Sequence, residues 1–189
     1  MKRATISMVM GTLLLILAAG TALAAVVDCV GGDCFGTPDN DTLNGSARED
    51  FIHGLGGADV VSGLGSNDVL YAYSGVFDFS GGGDDRLRGG EGNDRLYGDS
   101  GNDTLYGDLG DDELLGTGGG DDTVVGGGGA DHVAANWVGS HDVVAGGDGE
   151  DFIEATDQTK DVVDCGTGRD RVLFDERLDK IRRCEIKNR

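Results

Sequence analysis

The chain has 189 residues, enough for one domain or two small ones, with 36 glycines and a single proline. Its formal net charge of −20 disfavours nucleic acid and anionic membranes as partners and favours cations. The lack of a three-residue period and the near absence of proline exclude collagen.

Residues 1–24 read as a secretory signal peptide. Lys2 and Arg3 supply the positive start, Leu13 to Ala19 the apolar run, and Ala22-Leu23-Ala24 the small-x-small cleavage signal. The apolar run is too short to span a bilayer, and no charged stop-transfer flank follows it, which opposes the competing reading of a retained anchor. Cleavage after Ala24 predicts a secreted, extracellular chain with no membrane span. Losing Lys2 and Arg3 takes the net charge from −20 to −22. High negative charge alone also fits disorder, a reading that periodic placement of the acids would remove.

Residues 25–35 precede the repeats and carry Cys29 and Cys34, while Cys165 and Cys184 lie near the other end. An even number of cysteines in an exported chain predicts disulfides. Three pairings are open. Cys29–Cys34 with Cys165–Cys184 is favoured, because the two pairs sit at opposite ends. A zinc site is the rival, and no histidine lies near either pair.

Between the ends the chain repeats. From Gly89 it reads Gly-Gly-Glu-Gly-Asn-Asp-Arg-Leu-Tyr, and from Gly98 Gly-Asp-Ser-Gly-Asn-Asp-Thr-Leu-Tyr. The sixth place gives Asp41, Asp50, Asp59, Asp68, Asp85, Asp94, Asp103, Asp112, Asp122, Asp131, Asp142, Asp151, Asp161 and Asp170. Two places after each stands Leu43, Ile52, Val61, Leu70, Leu87, Leu96, Leu105, Leu114, Val124, Val133, Val144, Ile153, Val163 and Val172. All are aliphatic, and so regular a series rejects acidic disorder. The pattern resembles the haemolysin-type, or RTX, calcium-binding nonapeptide repeat family over residues 36–173.

The residues carry a physical reading beside that resemblance. Glycines at the first, second and fourth places allow the positive φ of tight turns. The residues around the aliphatic one form a short strand with the middle residue inward. One turn and one strand make half a coil, so two units close one coil of an all-β, right-handed parallel β-roll. Aspartates on one edge then stack about 4.8 Å apart. Unit charges at that spacing repel by roughly 3 kcal/mol at an effective dielectric of 20. A hard dication between turns removes the repulsion, and Ca2+, which accepts carboxylates together with backbone carbonyls, suits better than Mg2+. The fourteen aspartates are therefore the candidate ligands of several Ca2+ ions, and the thin core predicts a chain that folds on binding them.

Departures from the pattern are informative. From Asp112 onward the steps between aspartates are ten, nine, eleven, nine, ten and nine residues. The long steps lead into Asp122, Asp142 and Asp161, which share one edge. There Ser140 and Thr159 replace the fourth glycine and Lys160 adds a positive charge, predicting weak or missing calcium. Ala72 to Phe79 reads as a degenerate unit bearing Tyr73, Phe77 and Phe79, and a later insertion bears Trp137. Such aromatics either pack locally or contact a cell-surface glycan or protein. Residues 174–189 no longer repeat and read as a C-terminal cap, with Leu178, Ile181 and Ile186 as its apolar members. This tail is basic, with Arg177, Lys180, Arg182, Arg183, Lys187 and Arg189. It softens the charge at the end of an acidic roll or recognises a partner.

Nothing in the sequence singles out catalysis. Gly98-Asp99-Ser100-Gly101 fits the repeat register as well as it fits a nucleophile motif. No Gly-x-Ser-x-Gly elbow or His-Glu-x-x-His helix is present. His53, His132 and His141 occupy outward or turn places. RTX repeats resemble modules attached to exported enzymes and toxins, from which this chain departs in having an N-terminal signal and no room for a catalytic domain. A monomeric, non-catalytic calcium-binding protein is expected. An interaction module or an enzyme acting on acidic polysaccharide are the alternatives.

Overall fold

The computed structural model describes residues 5–7, 25–72, 83–116, 118–136, 138–175 and 178–188, with backbone alone for 5–7 and 186–188. Among these residues there is no helix. Strands form one ten-stranded and one nine-stranded sheet, and neighbouring strands in both are parallel. From Val26 on, successive strands alternate between the two sheets, so each coil places one strand in each.

The two sheets differ in strand length. In the larger sheet the strands over the middle of the roll run for six residues, as in Arg86–Glu91, Thr104–Leu109 and Thr123–Gly128. In the smaller sheet they span three or four, as in Arg95–Tyr97 and Glu113–Leu115. The longer strands continue through the first three places of the next repeat, so the turn leading to Asp94, Asp112 or Asp131 is itself zipped to its neighbours. The turn before Asp103 or Asp122 lies outside the strands, and the Gly101 N–H donates to the Gly119 carbonyl at 3.0 Å to join the two.

The core is a double file of aliphatic side chains. All fourteen residues two places after the aspartates are at most 1 % exposed. Leu87, Leu105, Val124, Val144 and Val163 lie in register across the larger sheet. Leu96, Leu114, Val133, Ile153 and Val172 do the same across the smaller one. Alternation buries the middle residue of each short strand and leaves its neighbours outward. Fifth-place residues add an outer ladder. Asn67 accepts from the Asn93 N–H at 2.9 Å, and Asn93 from the Asp111 N–H at 3.0 Å.

The glycines serve two purposes, and only one is the expected one. Second- and fourth-place residues have positive φ, as at Gly90 (121°) and Gly92 (133°). The first-place glycine does not. In the turns leading to Asp68, Asp94, Asp112, Asp131 and Asp151 it is required because a Cβ there has no room. At Gly126 a Cβ would collide with the Asp131 carboxylate and the Gly146 carbonyl.

The break before Asp85 also differs from the sequence reading. Val61 pairs with Leu87, and Leu70 with Leu96, so this coil spans 26 residues. A half coil over Ala72 to Phe79 would stack Asp85 on Asp68. Asp85 instead follows Asp59, so the extra residues do not count as a half coil. Tyr73, Phe77, Phe79 and Trp137 lie outside the described residues.

Both ends carry the favoured disulfides, Cys29–Cys34 and Cys165–Cys184. Cys34 lies in register over Ile52 and plugs the core at one end. Cys165 takes a first place that Gly63, Gly89, Gly107, Gly126 and Gly146 hold in earlier turns of the same edge. The roll extends past the repeats on each side. Val27 stacks on Leu43. In the tail, Lys180–Arg182 and Ile186–Asn188 add one more strand to each sheet, so the segment that stops repeating in sequence still coils in space. The backbone of Thr5–Ser7, within the segment read as a signal peptide, pairs with Val26–Asp28. The cleavage point after Ala24 lies outside the described residues.

Candidate metal sites along two aspartate columns

The fourteen sixth-place aspartates stand in two columns, one on each edge of the roll, and all are at most 3 % exposed. One column runs Asp41, Asp59, Asp85, Asp103, Asp122, Asp142 and Asp161. The other runs Asp50, Asp68, Asp94, Asp112, Asp131, Asp151 and Asp170. Each step uses the same contact: the backbone N–H of one aspartate donates to Oδ1 of the next, at 2.6–3.1 Å. The edge assignment expected from the spacing of the long steps holds, since Asp122, Asp142 and Asp161 share a column.

The second carboxylate oxygen is where the site lies. Oδ2 of Asp59, Asp68, Asp94, Asp103, Asp112, Asp131, Asp151, Asp161 and Asp170 is buried without a hydrogen-bond partner. A buried, unpaired carboxylate oxygen is costly, and repeating it up a column compounds the cost. On the column from Asp68 onward these oxygens converge with the next turn's carbonyl in front of the first-place glycine. The carbonyls of Gly107, Gly126, Gly146 and Cys165 are met in succession from Gly89, Gly107, Gly126 and Gly146. Carboxylate and carbonyl oxygens in a cradle kept free of side chain are the donor set that a hard cation takes.

The other column loses this arrangement as it proceeds. At Gly98 and Gly116 the nearest crowding comes from the Leu105 and Val124 side chains as well as the aspartates, in place of the carbonyl that stands among the nearest atoms at Gly126 or Gly146. The first turns differ again. Oδ2 of Asp41 accepts from the Thr37 backbone N–H at 2.5 Å and from its hydroxyl at 2.8 Å. Oδ2 of Asp50 accepts from Ser46 in the same way, at 2.7 and 2.9 Å. These two Oδ2 atoms are satisfied by their own turns, whereas Oδ1 of Asp50 is buried without a hydrogen-bond partner.

Burial dominates the protonation of the columns. It pushes Asp103 up to about 8 and Asp112 to about 7, opposed by the backbone N–H each accepts and reinforced by the carboxylates above and below. Asp122 and Asp161 rise to about 7 for the same leading reason, and Asp131 and Asp151 to about 6. Without a cation, burial favours protons on these carboxylates.

Three aspartates were missed in the sequence. Asp179 accepts from the Asp161 N–H at 3.0 Å and continues its column. It stands eighteen residues after Asp161 with Ile181 two places on, so the repeat signal was present. Asp175 accepts from the backbone of Asp157 and Gln158 at 3.0 and 2.6 Å. Asp157 is buried beside Asp142 and Asp161 in a turn whose glycines are gone, and nothing periodic marks it. Ser140 and Thr159, in fourth-glycine places, donate their hydroxyls to Asp142 and Asp157 respectively. Lys160 is exposed.

The three histidines are not gathered into a site. His53 stacks between Phe35 and Tyr71, with ring centroids 4.7 and 5.0 Å away. His132 stacks on Phe152 at 5.1 Å. The His141 imidazole lies 3.7 Å from Asp121 at an exposed turn. Among the described residues no helix is long and apolar enough to cross a membrane.

No curated protein matches the chain. The family model for the RTX calcium-binding nonapeptide repeat matches in four copies, over residues 35–75, 79–114, 117–137 and 139–172. Repeats of this kind bind Ca2+ between turns, and the buried aspartates are compatible with that ion. With those copies covering well over half its length, the chain belongs to the RTX calcium-binding nonapeptide repeat family.

Proposed function

We propose that the chain is a secreted, non-catalytic protein that folds on binding several Ca2+ ions and then serves as a structural or surface-interaction element. The observation that carries this is the file of buried Oδ2 atoms without hydrogen-bond partners, oxygens of the kind a hard cation takes. The regular column, Asp68 to Asp170, has the carbonyls as well and is the principal calcium edge. Asp41, Asp50, Asp59, Asp85, Asp103 and Asp122 supply further ligands. Since the core is one aliphatic residue per half coil, binding energy must serve as folding energy.

Export accords with two disulfides, which persist in oxidising compartments. It also accords with the start of the roll. The Ala25 N–H donates to Asp41 Oδ1 at 2.6 Å. Cleavage after Ala24 would make that group a charged amine, an ion-pair partner for the first carboxylate of the column. A surface role finds support in a row of stacked rings, Phe35, His53, Tyr71 and Tyr97, on the outer face of the smaller sheet.

The test uses exported protein whose intact mass is first read for a start at Ala25. Far-ultraviolet circular dichroism is then followed while calcium is restored after chelation, with magnesium as control. Coil turning to β-structure with calcium alone is expected. A β spectrum indifferent to chelator would overturn folding on calcium, and a mass retaining residues 1–24 would overturn the cleavage.

A further inference from the structure

We propose that the bulged edge carries a divalent-cation site of its own, built by Asp142, Asp157 and Asp161, that fastens the C-terminal coil to the roll; the proposal rests on the calcium reading above. One carboxylate oxygen from each residue lies within 4.8 Å of the others. Ligands about one calcium at 2.3–2.6 Å stand up to roughly 5 Å apart, so a single ion can touch all three. Asp161 is 0 % exposed and its Oδ2 has no hydrogen-bond partner. Asp142 and Asp157 are buried as well.

The site differs from the repeat sites in its donors. In nine-residue units the place of Asp157 is the second of the turn, where Asp99 and Asp108 have φ of 62° and 74° and are only half buried. The ten-residue step into Asp161 moves the positive φ to Gln158 (71°) and lets Asp157 turn inward. Thr159 then holds it, the backbone N–H donating to Oδ1 at 2.8 Å and the hydroxyl to Oδ2. Ser140 Oγ donates to Asp142 Oδ2 at 3.1 Å and stands 3.5 Å from Asp157 Oδ2. A third carboxylate thus replaces what glycine turns supply with carbonyls. Three close carboxylates with hydroxyl and amide donors demand a hard dication.

The same turn carries the last coil. Asp157 and Gln158 donate to Asp175, Asp175 donates to Asp179 Oδ2 at 2.6 Å, and Asp161 donates to Asp179 Oδ1. An ion that fixes Asp157 and Asp161 fixes both anchors of residues 175–182. The bulge is therefore a rebuilt cation site and not a lost one.

The experiment counts calcium ions bound to the full chain and to Asp157→Asn by native mass spectrometry, and locates them in calcium-grown crystals by anomalous scattering. Wild type should hold one ion between the three carboxylates, and Asp157→Asn, which keeps the acceptor oxygen for Thr159, should bind one fewer with the rest retained. Hydrogen exchange in residues 178–188 should rise several-fold in the variant. An unchanged count would overturn the site. So would anomalous peaks along the regular column with none at Asp157, a result that stands even if the variant does not fold. Wild type that binds no calcium at all would instead overturn the calcium reading of the repeats, and this site with it.

Discussion

Which glycines matter, and why, is settled by what lies in front of them. Gly126 and Gly128 occupy the first and third places of one turn. A Cβ on Gly126 would strike the Asp131 carboxylate and the Gly146 carbonyl, while one on Gly128 would meet only Leu109 Cδ2 at 3.6 Å and Asp108 O at 3.9 Å. Gly126→Ala should cost about 1–3 kcal/mol through overpacking and raise the calcium concentration at the folding midpoint. Gly128→Ala should be neutral, or stabilise by up to about 1 kcal/mol through the unfolded chain. Calcium titrations of both variants, followed by circular dichroism, check the contrast; equal midpoints would remove the carboxylate–carbonyl cradle from the account. The periodicity revealed that glycine was needed at the first place but not the reason. A missing Cβ looks the same in sequence whether it relieves the backbone or leaves room for oxygen atoms.

At the scale of strands and turns, legibility followed regularity. The pattern of aspartate and aliphatic residue placed the fourteen aliphatic residues of the core's two files and separated the two edges, because a fixed step on a coil converts directly into a column. It failed where that step is silent. The insertion after Leu70 carries no sixth-place aspartate, and a length close to one unit imitated a half coil. Asp157 was illegible because its role depends on an altered turn, and Asp179 was passed over only because the glycines before it are absent. The two staples show how an end is closed when repetition stops. Cys165 sits in a glycine place and is tied to Cys184, across the strand that adds Ile181 to Val163. Replacing both cysteines by serine should cost about 3 kcal/mol for a loop of this size, with loss concentrated in Lys180–Arg182 and Ile186–Asn188. Hydrogen exchange should show those strands opening first while Thr104–Leu109 stays protected. Uniform loss of protection would mean that the staple sustains the whole roll and not its last coil.

For the whole molecule, the columns couple calcium to protons. Burial raises Asp103 to about 8, Asp85 and Asp112 to about 7 and Asp59 and Asp151 to about 6, against a reference of 3.8. The folded, metal-free chain therefore holds more protons than the unfolded one between about pH 4 and pH 8. Stability from those protons is complete below the unfolded value and is lost as pH rises through 6 to 8. Calcium needs the same carboxylates deprotonated, so its contribution grows over the interval in which the proton's contribution fades. In chelator, β-structure should be greater at pH 5 than at pH 8. With calcium, the midpoint concentration should fall as pH rises from 6 to 8, and binding at pH 6.5 should release protons, read by calorimetry in buffers of different ionisation enthalpy. A midpoint independent of pH would mean that the aspartates are already ionised in the metal-free roll. The repulsion along each column would then be relieved by solvent, and calcium would be binding to a finished structure instead of completing one.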